Sequence, residues 1–112
     1  MNIPGITLRP PEPLVIAVNG REYGLKKSEI EILEICSAVR DKYALSGEGG
    51  PSAVREAVNE TITAIDGILG EGAAAEISGG RPVGAALAAQ WLAEICRAAV
   101  SAGDEYVRES YE

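Results

Sequence analysis

The stretch Leu14-Val15-Ile16-Ala17-Val18-Asn19-Gly20-Arg21-Glu22-Tyr23-Gly24-Leu25 decides how the chain begins to fold. Asn-Gly suits a type I′ turn, whose two central residues both need positive φ. A two-residue loop there sets Val18 opposite Arg21, Ile16 opposite Tyr23 and Leu14 opposite Leu25. One face of this hairpin, residues 14–25, then carries Leu14, Ile16, Val18, Tyr23 and Leu25, and the other carries Val15, Ala17, Glu22 and Gly24. A slip of one residue would turn the apolar set to solvent, so the register is well specified. A lone hairpin is marginal in water. This one is expected to lie on a helix or on another chain.

Downstream the apolar period changes from two to three and four. Ser28-Glu29-Ile30-Glu31 reads as a capping box opening a helix over about 28–45, with Ile32, Ile35, Cys36, Val39 and Tyr43 on one stripe. The run Gly47-Glu48-Gly49-Gly50-Pro51 ends it and starts a second helix over about 52–69, with Pro51 near the first helical position. Val54, Ala57, Val58, Thr61, Ile62, Ile65 and Leu69 share a face of that helix, and Gly70 stops it. Residues 73–78 make one or two helical turns. A last helix over about 82–101 carries Val83, Leu87, Trp91, Leu92, Ile95 and Ala99 among many alanines. Four of the six prolines fall in residues 1–13, which reads as an extended arm because proline removes donors and disfavours helix. Residues 104–112 read as a charged tail, with Tyr106, Val107 and Tyr111 as anchors. The expected fold is α+β, mainly α: one domain over 14–103, an N-terminal β-hairpin packed on a three- to four-helix bundle.

The composition removes several functions. With 112 residues the chain has room for one modest core. Ten Lys and Arg against seventeen Asp and Glu leave a net charge of -7, the wrong sign for a nucleic-acid binder. There is no His, hence neither the commonest general base nor the commonest zinc ligand. The lysines are Lys26, Lys27 and Lys42, and none stands in a Ser-x-x-Lys spacing. Cys36 and Cys96, 60 positions apart, form no redox or zinc motif and read as buried reduced thiols. No basic-then-apolar leader opens the chain, and no apolar run approaches the ~18 residues of a membrane span. A cytoplasmic, non-enzymatic protein without metal or cofactor is the expectation.

Individual motifs carry little chemistry. Gly70-x-Gly72-x-x-Ala75 has the outline of a dinucleotide fingerprint, but a helical segment precedes it where that motif needs a strand. A turn between helices fits it better. Asp66, Glu71 and Glu76 lack the alternating ligands of a calcium loop and read as caps and solvated charges. Trp91, alone of its kind, reads as a core filler with a second reading as an interface anchor. Arg81, between Gly80 and Pro82, reads as a surface charge at a helix start, with a second reading as a clamp for a partner's carboxylate.

Three pieces, in order, resemble the small tail assembly chaperones of long-tailed bacteriophages and prophages. They are Val18-Asn19-Gly20-Arg21-Glu22-Tyr23-Gly24-Leu25, a helix opening at Ser28-Glu29, and Ile65-Asp66-Gly67-Ile68-Leu69-Gly70-Glu71-Gly72-Ala73 followed by Glu76-Ile77-Ser78-Gly79-Gly80-Arg81. One group of those proteins similarly has Asp-x-Ile-Leu-Gly-Glu-Gly-Thr-Ala leading into Ile-Phe-Gly-Gly-Arg/Lys. The likeness spans about residues 14–100. The chain departs from it at Ile65 and Ser78, where aromatic residues are expected, and at Ala73, where threonine is.

The resemblance implies a mainly helical, oligomerising, non-enzymatic protein. Such chaperones coat the helical tape measure protein before tail tube subunits polymerise around it, and they are absent from the finished particle. It carries over no catalytic, metal or cofactor residue. On this reading the partners are the tape measure protein and the tail tube protein, with self-association, and neither nucleic acid nor membrane. The partner surface is expected to include Tyr23 and Leu25 on the hairpin, Arg81, and Leu87, Trp91 and Ile95 on the last helix. The rivals are a structural head–tail or tail component of a phage particle and a small helical adaptor of the host. A third is an enzyme built on Lys42 or Asp66.

Overall fold

A computed structural model describes residues 2–46 and 49–109. Gly47 and Glu48 of the connector, and the anchor Tyr111, lie outside the described residues. The chain is α+β and mainly helical, in the order β1 (Val15–Val18), β2 (Arg21–Gly24), α1 (Glu29–Ser46), α2 (Gly50–Leu69), α3 (Ala73–Ser78) and α4 (Ala85–Glu109).

The hairpin has the register that its sequence dictates: Val15 faces Gly24, Ile16 Tyr23, Ala17 Glu22 and Val18 Arg21. Asn19 and Gly20 take φ of 52° and 82°, as a type I′ turn requires. Leu25 N–H donates to Leu14 O at 2.8 Å and carries the ladder one pair further. Ile16 and Leu25 are buried, Leu14, Val18 and Tyr23 are half-buried, and the other face is exposed. The buried face lies in the common core, with β1 on α4.

The capping box is formed in full. Ser28 Oγ accepts from Glu31 N–H at 3.2 Å, and Glu31 Oε1 accepts from Ser28 N–H at 3.3 Å and from the Ser28 hydroxyl at 3.0 Å. These bonds hold the Glu31 carboxyl below its ordinary value. A depressed carboxylate stabilises the fold above the unfolded value of 4.5 and loses that contribution as pH falls through its folded value. Ser28→Ala is therefore expected to lower the melting temperature by a few degrees at pH 7. Melts repeated at acid pH should show the gap to the wild type closing.

Helices α1, α2 and α4 pack against one another, and α3 lies on α2. Their shared core contains Ile32, Ile65, Ile68, Leu69, Leu92 and Ile95. The buried Thr61 hydroxyl donates to Ala57 O at 2.8 Å and lies 3.0 Å from the Tyr43 hydroxyl, tying α2 to α1 without an unpaired polar atom. Cys36 and Cys96, expected as two separate thiols, meet between α1 and α4 with their sulfurs paired. Spacing along the chain does not show that the two helices face each other at these positions.

The last helix departs from expectation at both ends. Arg81 N–H turns back to Ser78 O, residues 81–84 take no regular secondary structure, and Gly84 O accepts the first helical bond, from Ala88, so α4 begins at Ala85 instead of about 82. It also continues past 101 to Glu109, so most of the expected tail is helical. Gly103 does not end the helix. Instead, a Cβ there would sit 2.6 Å from Glu29 Oε2 and 3.8 Å from Leu14 Cδ1, so glycine lets α4 lie close to the start of α1. The arm is extended and exposed. It is held at one point, where Arg9 donates to Tyr106 O at 3.0 Å, its guanidinium lies 3.7 Å from the centre of the Tyr106 ring, and the Tyr106 hydroxyl donates to Pro10 O.

Candidate functional site

The glycine-rich run after α2 builds the most specific local geometry in the chain. Helix α2 ends where Gly70 adopts φ 125° and ψ 152°, a conformation that is essentially glycine's alone. Gly72, at φ 85°, then opens α3 without a side-chain cap of its own. The missing cap comes from the preceding helix, because Asp66 Oδ1 accepts from Ala74 N–H at 2.9 Å. Glycines 79 and 80 close α3, with Gly80 N–H on Ala75 O and Gly79 N–H on Glu76 O, the Schellman pattern. Lys26 N–H donates to Ile68 O at 2.8 Å, and so the hairpin's exit strand is fastened to the end of α2.

This corner walls an open groove of about 940 Å³ between α2, α3 and residues 80–85. Val54, Val58, Ile62 and Val83 give it an apolar lining, all half-buried. Val54, Val58 and Ile62 follow one another at four-residue intervals, which makes a stripe about 12 Å long at helical rise. Arg55 and Arg81 line the same groove, are exposed, and have no ion pair among the described residues. Asp66 reaches it too, with Oδ1 engaged by the α3 cap. On a chain with a net charge of -7, the groove is thus a local cationic spot over an apolar floor.

The expected partner residues fall on two surfaces. Arg81 lies in this groove. Trp91, half-buried, and Ile95, 5% exposed, line a separate hollow of about 350 Å³ with Ile16, Val18 and Ile77. Tyr23 is next to it in the core cluster. Its hydroxyl donates to Glu76 Oε2 at 3.1 Å, and Arg21 bridges to the same oxygen at 3.0 Å, so the hairpin is clamped to α3. Desolvation, then the bond to Glu76, raises the Tyr23 hydroxyl above its usual value and keeps it a donor. Leu25 and Ile95 are buried and support this surface from beneath, with Ile95 at the wall of the hollow.

Leu87 is 46% exposed. The buried stripe of α4 runs Ala88, Leu92, Ile95, Cys96, Ala99, and Leu87 stands about 100° around the helix from it. Leu87 and Trp91, four residues apart, lie along the flank of that stripe. The valines of α2 were legible as an apolar face. What separated groove from core was the position of α3, which only the glycine conformations set.

The lysine that the sequence offered for catalysis is held in an ion-pair cluster. Lys42 Nζ donates to Glu60 Oε1 at 2.6 Å and Glu56 Oε1 at 3.1 Å, and these bonds raise its pKa. A lysine nucleophile or base needs the opposite shift. Among the described residues no three acidic or cysteine side chains gather in a way that would hold a metal ion. No described helix is long and apolar enough to cross a membrane. Compared with protein-family models, curated proteins and solved structures, the chain matches none.

Proposed function

We propose that this chain is a non-enzymatic tail assembly chaperone of a long-tailed phage or prophage. It acts in the host cytoplasm by holding the tape measure protein, and tail tube subunits, until the tail is built. The observation that carries the reading is the apolar groove beside Arg55 and Arg81. An amphipathic helix fits such a groove with anchors three or four residues apart, and two turns of it match the Val54–Val58–Ile62 stripe. Acidic residues on that helix would meet the two arginines. The run from Ile65 to Ala73, which carries the resemblance to phage chaperones, forms the corner that walls the groove.

A tagged pull-down from the source cells after prophage induction tests this, with bound proteins identified by mass spectrometry. Recovery of a very long, helix-rich phage protein is expected, together with absence of the chain from purified particles. Presence in particles would favour a structural component of the head–tail region. Recovery of host proteins alone would favour an adaptor.

A further inference from the structure

The two-stranded sheet ends in an unused edge, and the arm before it displays apolar side chains that nothing covers. Because Leu25 N–H bonds Leu14 O, alternation makes Ile16–Tyr23 and Val18–Arg21 the hydrogen-bonded pairs. Val15 and Ala17 therefore turn their N–H and C=O groups outward. No backbone group of another element bonds them among the described residues. Strand β1 has none of the charges, prolines or bulges that usually guard an edge, and Val15 is 53% exposed.

In the arm, Ile3, Ile6 and Leu8 are 87%, 84% and 78% exposed. Between Pro4 and Pro10 lies Gly5-Ile6-Thr7-Leu8-Arg9, a run in which every residue keeps its amide and Ile6 and Leu8 alternate with Thr7 and Arg9 at the strand period. It is about as long as β1. The arm does not reach its own β1 edge. It is pinned at Arg9 and Pro10 on Tyr106, and the segment from Pro10 to Leu14 is extended with no turn that would fold it back.

We infer that residues Ile6–Arg9 of a second copy of this chain pair with the Val15–Val18 edge, and that the exchange is reciprocal. Each arm then gains backbone bonds and covers Ile6 and Leu8, and a two-fold exchange closes without leaving a free edge on β1. This inference does not depend on the tail-chaperone reading.

Light scattering on the eluted full chain tests it, together with two variants. Ala17→Pro removes an outward N–H that takes no part in the hairpin. Thr7→Pro/Leu8→Pro lies in the exposed arm; adjacent residues point to opposite edges, so it removes the paired donor in either orientation. The wild type is expected at twice the chain mass, and both variants at the chain mass with unchanged far-ultraviolet circular dichroism. The arm variant decides alone if Ala17→Pro fails to fold. A monomeric wild type, or an assembly whose mass the arm variant leaves unchanged, would overturn the inference.

Discussion

Ile65→Ala is expected to lower the unfolding free energy by about 2–5 kcal/mol, a large share of the roughly 5–15 kcal/mol that a domain of this size has in total. Ile65 is 0% exposed, in the core shared by α1, α2 and α4. Its removal loses the transfer energy of the side chain and leaves a cavity that the packed helices close only in part. Urea unfolding checks this: the midpoint should fall steeply with the slope unchanged. Ile65 has no exposed surface among the packed helices, so a larger side chain meets them directly. Ile65→Phe is therefore also expected to destabilise, by about 1–3 kcal/mol through overpacking.

Gly70→Ala should cost about 1–3 kcal/mol, for a different reason. A Cβ at Gly70 would meet Lys26 Cε at 3.7 Å, an ordinary contact, so the penalty comes from φ 125° rather than from crowding. The loss should be local first, since Gly70 sets the exit from α2 and hence where Asp66 meets Ala74. Hydrogen exchange should show the Ala74 amide losing protection ahead of the α2 core. Gly67→Ala is the control. Gly67 lies within α2, where alanine is the better helix former, and its Cβ would meet only the flexible end of Lys27, at 3.4 Å. Thermal melts of the two variants should shift in opposite directions, or Gly67→Ala should not shift at all. Equal losses would mean that the corner tolerates either backbone and that its glycines are not what shapes the groove.

Elements whose causes are local were legible in the sequence. The Asn-Gly turn, the alternation on either side of it and the Ser28–Glu31 box each need only residues within a few positions of one another, and they appear as read. Helix boundaries set by tertiary contact were not. Gly103 looks like a stop in any one-dimensional reading, yet its missing side chain is where Glu29 and Leu14 approach α4. Likewise, the many alanines of the last helix do not show along the chain which of them are buried. Ala88 and Ala99 join Leu92, Ile95 and Cys96 in the buried stripe, because small side chains let α4 pack closely on its neighbours. The binding surface was the least legible part. Arg81 could be singled out from its Gly-Arg-Pro setting, but Arg55 and the valines of α2 join it only after Asp66 and two glycine pairs have set α3 in place.

On the proposed function, the groove between α2, α3 and residues 80–85 holds a helix of a long phage protein. The most direct measurement is a side-by-side capture from induced cells with the wild-type chain and with Arg55→Glu/Arg81→Glu. Both arginines are exposed and without ion pairs among the described residues, so the variant should keep the wild-type melting curve. The wild type is expected to retain the long, helix-rich protein, and the variant, equally folded, to lose it. Equal capture by both chains, or capture of no such protein by the wild type, would contradict it.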